Sequence, residues 1–215
     1  MSACFSDMIK DHSLDFLCLQ ETMKKKFPPK NLRNIDPVTQ FDWNWIPSIG
    51  KAGGLCGIKK ETLEVISWIP GRFCLQANLY DVNRKIVWAL ITVYGAAHDD
   101  SKDDFLVELS AMCAHTHAPY IGGDFNILRE ACDKNKTLNR SPYVDKFNSI
   151  INSLNLREIY MGGGKYTWTN NQKHPTLQKL DRVLMSFEWE EIFPLVTVRK
   201  LVRGVSDHNP LLLSS

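Results

Sequence analysis

Tyr120-Ile121-Gly122-Gly123-Asp124-Phe125-Asn126 decides how this chain reads. A short apolar run after Pro119 has the character of a buried strand. It stops at two glycines and then sets an acid and an amide on alternate positions. Residues two apart on an extended chain share a side. Asp124 and Asn126 are therefore expected on one face, with Phe125 pointing the other way. A carboxylate beside a carboxamide at a strand's C-terminal end suits the holding and deprotonation of a water. The same residues suit the plain closing of a Gly-rich turn, and this stretch alone does not separate the two.

Four further segments also place polar groups at the ends of apolar runs. Leu17-Cys18-Leu19-Gln20-Glu21-Thr22 closes on a carboxylate. Mg²⁺ favours one or two carboxylates with water and phosphate, although a solvated Glu opening a loop would read the same. Ile91-Thr92-Val93-Tyr94-Gly95 ends in a tyrosine whose hydroxyl suits a phosphate oxygen; a core or rim tyrosine is equally compatible. In Lys179-Leu180-Asp181-Arg182-Val183-Leu184-Met185 an Asp-Arg pair interrupts an apolar strand. Alternation puts Leu180, Arg182 and Leu184 on one face and Asp181, Val183 and Met185 on the other. Buried charge is costly unless paired, so Asp181 needs a partner, and a local ion pair is one answer. Val205-Ser206-Asp207-His208-Asn209-Pro210 sets a histidine between an acid and a turn. Asp181 or Asp207 would fix the tautomer of His208 and raise its basicity.

The rest of the chain supports one layered domain over residues 1–215, a length sufficient for one sizeable core. Residues 2–11 read as a helix, and Leu14 to Leu19 as a strand buried on both faces. Trp43 to Ile46, Leu63 to Trp68, Phe73 to Leu79 and Ile86 to Val93 follow as strands rich in β-branched and aromatic residues. Ser101 with Asp104 resembles a capping box, leading into a helix with Phe105, Leu109, Met112 and Cys113 as its apolar stripe. Ser141-Pro142 opens a second helix with Val144, Phe147, Ile150, Ile151 and Leu154 inward. After Gly162-Gly163-Gly164, strands return at Tyr166 to Thr169, Lys179 to Met185, Val196 to Val202 and Pro210 to Leu213.

A net charge of +2 does not by itself argue for nucleic acid. Three basic clusters suit the tracking of phosphates or simple solvated loops: Lys24, Lys25 and Lys26; Lys134, Lys136 and Arg140; Arg199, Lys200 and Arg203. Six scattered cysteines, with no C-x-x-C pair, read as reduced thiols of an intracellular protein. No apolar run approaches the roughly 20 residues of a membrane span, and no signal-peptide pattern opens the chain.

Taken together and in order, five motifs carry a resemblance: Leu19-Gln20-Glu21-Thr22, Val93-Tyr94-Gly95, Gly122-Gly123-Asp124-Phe125-Asn126, Leu180-Asp181-Arg182 and Ser206-Asp207-His208. In these residues the chain resembles the endonuclease/exonuclease/phosphatase superfamily of metal-dependent phosphodiesterases. Ile121 to Asn126, Tyr166-Thr167-Trp168-Thr169-Asn170, Lys179 to Val183 and Ser206-Asp207-His208 are similar to the endonuclease domain of plant LINE-type (non-LTR) retrotransposons.

The resemblance implies an α/β fold: a four-layer α/β sandwich of two central, mostly antiparallel sheets flanked by helices. It implies a Mg²⁺-dependent (or Mn²⁺-dependent) DNA endonuclease that nicks a strand, monomeric, in an intracellular, nuclear setting with DNA as its partner. By that resemblance Glu21 binds the metal and Asp207 assists it or tunes His208. Asp124 deprotonates the attacking water and Asn126 holds water or phosphate. His208, paired with Asp181, contacts the scissile phosphate, Tyr94 hydrogen-bonds it, and Thr167 lies near the substrate.

Two departures stand out. The resembled family begins with a strand carrying a metal-site Asn, in this branch within a Trp-Asn-x-Arg-Gly-type segment, and this sequence has none. It is therefore expected to be N-terminally truncated, with an open sheet edge. Gly95-Ala96 stands where this branch has Gly-Pro. An inactive retroelement remnant that at most binds nucleic acid is the alternative reading. An inositol phosphate or lipid phosphatase is a more distant third.

Overall fold

Apolar period and turn chemistry place most of the elements. The structure, a computed structural model, describes residues 2–48, 53–137, 141–204 and 206–215, with side chains from Phe5 onward. Arg140 and Val205, both singled out above, lie outside the described residues, as does the side chain of Cys4. The chain divides into two compact units, residues 1–94 and 95–215.

The first unit opens with α1 (Ser2–Asp11) and β1 (Phe16–Gln20). A single turn, α2 (Pro29–Arg33), begins at a proline and leads to β2 (Phe41–Ile46) and β3 (Gly54–Lys59). These strands form an antiparallel sheet in the order β1-β3-β2. Helix α1 covers it: Ile9 packs with Leu17 and Phe41, and Phe5, Leu14, Leu19, Ile35 and Trp43 close around them. A second ladder follows, made of β4 (Leu63–Pro70), β5 (Cys74–Asp81) and β6 (Ile86–Tyr94), with a register shift between Val65 and Ser67.

β1 departs from the expectation of a strand buried on both faces. Only Leu17 is buried, and its neighbours Phe16, Cys18, Leu19 and Gln20 are half-buried. Within its sheet β1 is an edge, with β3 on one side. The continuous apolar run reports apolar surroundings, which α1 supplies on one face, and not a central position.

In the second unit α3 (Lys102–Ala114) and α4 (Pro142–Ser153) are the two expected helices. The N-cap of α4 is Ser141, whose hydroxyl accepts from the Tyr143 N–H, and Pro142 sits at the first position. Helix α3 differs at its start. Ser101 makes no side-chain cap bond because a 3-10 turn over Asp99–Ser101 runs directly into the helix. Its inward face also includes Leu106, while Met112 is only half-buried.

The strands of this unit are β7 (Pro119–Asp124), β8 (Arg157–Glu158), β9 (Met161–Gly162), β10 (Trp168–Thr169), β11 (Leu177–Gln178), β12 (Asp181–Met185), β13 (Thr197–Lys200) and β14 (Leu211–Ser214). A short helix, α5 (Phe187–Ile192), is capped by Ser186. β12 pairs antiparallel with both β7 and β8, β10 pairs with β11, and β13 lies between β14 and β9. Of the two-residue strands, β10 lies within the strand expected at Tyr166 to Thr169, whereas β8, β9 and β11 escape sequence reading because a pair of residues carries no period, and α5 is under two turns long.

Phe125 does point inward. It is fully buried, with ring centroids 6.4 Å from Phe105 on α3 and 5.2 Å from Phe147 on α4. Burial of one such ring stabilises by about 1.5–3 kcal/mol, and it fixes the segment that carries Asp124 and Asn126.

Candidate active site

β7 and β12 run antiparallel with Asp124 directly opposite Asp181. Both carboxylates are buried, at 2% and 7% exposure, and like charges opposed across a ladder repel. His208 relieves that repulsion. Its Nδ1 lies 2.8 Å from Asp181 Oδ2 and its Nε2 lies 4.0 Å from Asp124 Oδ2. Burial works against the charged ring, but the hydrogen bond and charge of Asp181, with the charges of Asp124 and Asp207, raise its pKa to about 9. At neutral pH His208 is therefore an imidazolium between two carboxylates.

Asp124 and Asn126 come together, but not by strand alternation. Asn126 adopts φ +50°, a left-handed conformation that Asn tolerates better than most residues. The turn brings its backbone N–H to Asp124 Oδ1 at 2.9 Å and its Nδ2 to Asp124 Oδ2 at 2.9 Å. Nδ2 also donates to Gly95 O at 3.0 Å. Both amide hydrogens are thereby engaged, which leaves Oδ1 to meet a proton donor such as water. Gly95 belongs to this arrangement. Its N–H donates to Asp124 O at 2.7 Å, and a Cβ there would fall 2.2 Å from Phe125 O.

The segment 167–169 fastens both sides of the His-Asp pair. Thr167 is fully buried, and its hydroxyl accepts from the Leu180 and Asp181 N–H groups at 3.1 and 3.0 Å. The hydroxyl is thereby committed to the backbone that carries Asp181. Trp168 Nε1 donates to Asp207 Oδ2 at 2.9 Å, Thr169 N–H donates to Asp207 O, and Asn209 N–H donates to Thr167 O. Trp168 and His208 are bridge partners. Of the two candidate carboxylates, Asp181 is the one on the His208 ring, and the Asp207 side chain accepts from an indole instead. The Trp168–Asp207 pairing has no signal in the sequence beyond a tryptophan two residues after Tyr166.

Arg182 does not pair with Asp181. It is 2% exposed and its Nη2 binds Asp133 Oδ2 at 2.6 Å while Nη1 binds Glu158 Oε1 at 2.9 Å. Arg129 and Lys179 also bind Glu158. Burial would raise the Glu158 carboxyl, yet the three cations hold it below its usual range. The network fastens β12 to β8 and to the turn ending at Asp133.

In the first unit, β1 ends at Gln20 and the chain turns at Glu21 with φ +51°. A glutamate seldom adopts that conformation. Its exposed carboxylate accepts from Tyr94 OH at 2.9 Å, and Thr22 N–H donates to Gly53 O. The Tyr94 hydroxyl proton is thus directed at Glu21.

Among the described residues no three His, Cys, Asp or Glu side chains are grouped to hold a metal ion. A ready-made protein cage is therefore not what these residues offer. Mg²⁺ needs none, since it takes one or two carboxylates and completes its shell with water and phosphate. An exposed Glu21 steadied by Tyr94 fits that demand; Asp207, engaged by Trp168, fits it less well. No helix among the described residues is long and apolar enough to cross a membrane.

The sequence matches the endonuclease/exonuclease/phosphatase family over residues 2–208, and the chain belongs to that family. No curated protein sequence matches it. Among solved structures it is similar to the endonuclease domain of TRAS1, a telomere-specific non-LTR retrotransposon, with a TM-score of 0.73 at 13% identity over 99% of this chain and 90% of that one. It is similar to the 3' phosphatase NExo from Neisseria, solved with a product DNA hairpin, with a TM-score of 0.72 at 16% identity over 99% and 93%. It is similar to TDP2 from D. rerio, solved with a single-strand DNA product, with a TM-score of 0.62 at 11% identity over 97% and 86%. At these identities the likeness shows the fold, an α/β sandwich of mostly antiparallel sheets flanked by helices.

Proposed function

We propose that the chain is a divalent-cation-dependent phosphodiesterase that nicks DNA. One observation carries the reading: a buried Asp124, fixed by Asn126, faces an imidazolium that Asp181 orients. Family membership and neighbours that include a retrotransposon endonuclease domain support the same class of chemistry.

Asp124 is assigned the proton of the attacking water. The two N–H groups of Asn126 aim its oxygens, and Asn126 Oδ1 is left to hold the water by its other hydrogen. His208 is assigned the scissile phosphate. A ring protonated at neutral pH offers charge and a donor to the crowded oxygens of the transition state. Asp181 keeps that ring charged and in place. Thr167 fixes the Asp181 backbone, and Trp168 and Asp207 fix the segment bearing His208, so all three are positioning residues here. Glu21 is the carboxylate assigned to the cation, with Tyr94 holding its orientation. When bound, such a cation polarises a phosphate oxygen and neutralises charge on the leaving oxygen.

DNA is the proposed partner. Lys24, Lys25 and Lys26 are exposed beside Glu21 in sequence and suit phosphate tracking. Arg199 and Arg203 are also exposed, whereas Lys136 and Lys200 donate to the carbonyls of His174 and Tyr166.

The test is supercoiled plasmid with Mg²⁺, using the parent chain and the Asp124→Ala and His208→Ala variants. The parent is expected to nick, and each variant to be slower by about 100-fold or more. An inactive parent, or variants that nick as the parent does, would defeat the reading. Release of phosphate from a phosphate-ended oligonucleotide without nicking would move the assignment to a phosphatase.

A further inference from the structure

Cys18 on β1 and Cys56 on β3 are direct cross-strand partners. In the same ladder Lys59 N–H donates to Asp15 O at 2.8 Å, which marks Asp15 and Lys59 as a hydrogen-bonded pair. Alternation then makes Phe16 with Ile58, and Cys18 with Cys56, non-hydrogen-bonded pairs. Such pairs hold their Cα atoms about 4.5 Å apart and bring side chains closest. A disulfide accepts Cα separations of about 4.4–6.8 Å, so the backbone already meets its requirement. The two sulfurs stand 3.5 Å apart. Cys56 is buried and Cys18 half-buried, which makes Cys18 the sulfur a small reagent reaches first.

We propose that Cys18 and Cys56 form a thiol-modification site that takes low-molecular-weight disulfides of the glutathione class and closes to a cross-strand disulfide. Cys18 releases its proton and its thiolate attacks one sulfur of the small disulfide. That S–S bond breaks and one small thiolate leaves. The Cys56 sulfur, giving up its own proton, attacks Cys18 in the mixed disulfide, and the second small thiolate leaves. Two protein thiols are oxidised and one small disulfide is reduced to two thiols. The hydrogen bond to Cys18, together with burial, raises the Cys56 thiol well above its usual range, which agrees with Cys18 reacting first. The product staples β1 to β3 three residues before Glu21. The chemistry is independent of the reading proposed above.

Oxidised glutathione is the probe, applied to the full chain at mildly alkaline pH. Acid quenching, alkylation of the remaining thiols and peptide mapping follow. The expected result is joint loss of alkylatable Cys18 and Cys56, one linked peptide pair lighter by two hydrogens, and recovery of both thiols with dithiothreitol. The pair should be absent from Cys18→Ser and from Cys56→Ala. Exposed Cys132, which gains a glutathione adduct, reports that the reagent was competent. Retention of both alkylatable thiols while Cys132 reacts would overturn the proposal. So would glutathione left on Cys18 with no link to Cys56, or Cys18 linked to any other cysteine.

Discussion

Glu21 stands exposed at a turn, with one tyrosine hydroxyl on its carboxylate. Asp124 and Asp181 are buried, backed by Asn126, Thr167 and His208. The first unit presents its acid to solvent, and the second encloses its acids in bonds that fix their direction. Removing a group from the second unit strands buried partners and costs stability. Removing the Glu21 charge strands none, so any loss there falls on function.

Arg182→Ala is the strongest test of the enclosed half. It leaves Asp133 and Glu158 without their buried partner, although Arg129 and Lys179 remain on Glu158. A loss of about 3–5 kcal/mol in urea unfolding is expected. A loss under about 1 kcal/mol would mean that β12 is held by packing alone, and the contrast between the halves would weaken.

Asp181→Asn tests the charge on His208. The folded pKa of about 9 lies above the usual 6.5, so the stabilisation is fully present below pH 6.5 and lost as pH rises through 9. It amounts to something on the order of 3 kcal/mol. Stability of the parent should fall between pH 6.5 and 9, and the variant should show a shallower fall. Parallel stability curves for the two proteins would remove Asp181 as the source. Titration of the His208 ring by NMR reads the same shift directly.

Which parts of this were legible in the sequence follows from the range of each signal. Periods of 2 and 3.6 fall within a few residues, so β4, β5, β6, α1 and α4 were readable. A demand for a partner was also readable, as at Asp181. The partner's identity was not. Arg182 finds Asp133 49 residues away and Glu158 24 residues away, and register sets both choices. Asn126 was expected beside Asp124 by alternation and reaches it through a positive φ instead. Thr167 shows the same limit: its hydroxyl is directed inward at two backbone N–H groups, a fact that depends on β10 lying near β12.

Thr167→Val keeps shape and removes that hydroxyl. The Leu180 and Asp181 N–H groups then lose their acceptor inside the protein, at a cost of about 1–3 kcal/mol. Thr167→Ser restores the oxygen and should recover most of it. If the hydroxyl also sets the Asp181 carboxylate on His208, the downfield resonance of the ring Nδ1–H should broaden or shift in the valine variant and return in the serine one. An unchanged resonance would confine Thr167 to stability.

Glu21→Gln completes the comparison from the other side. The side chain is exposed, and an amide oxygen still accepts from Tyr94 OH, so unfolding should change by less than about 0.5 kcal/mol. A cation bound at Glu21 would lose its charged ligand, and nicking should fall steeply at low Mg²⁺ and partly recover as Mg²⁺ is raised. Tyr94→Phe refines this, since it leaves the carboxylate and removes only the hydroxyl that orients it. Its expected loss in nicking is smaller than that of Glu21→Gln and should again lessen with added Mg²⁺. If Glu21→Gln instead destabilised the chain as much as Thr167→Val, the positive φ at Glu21 would mark a structural turn that depends on the carboxylate. The division between an enclosed half and a presented half would then fail.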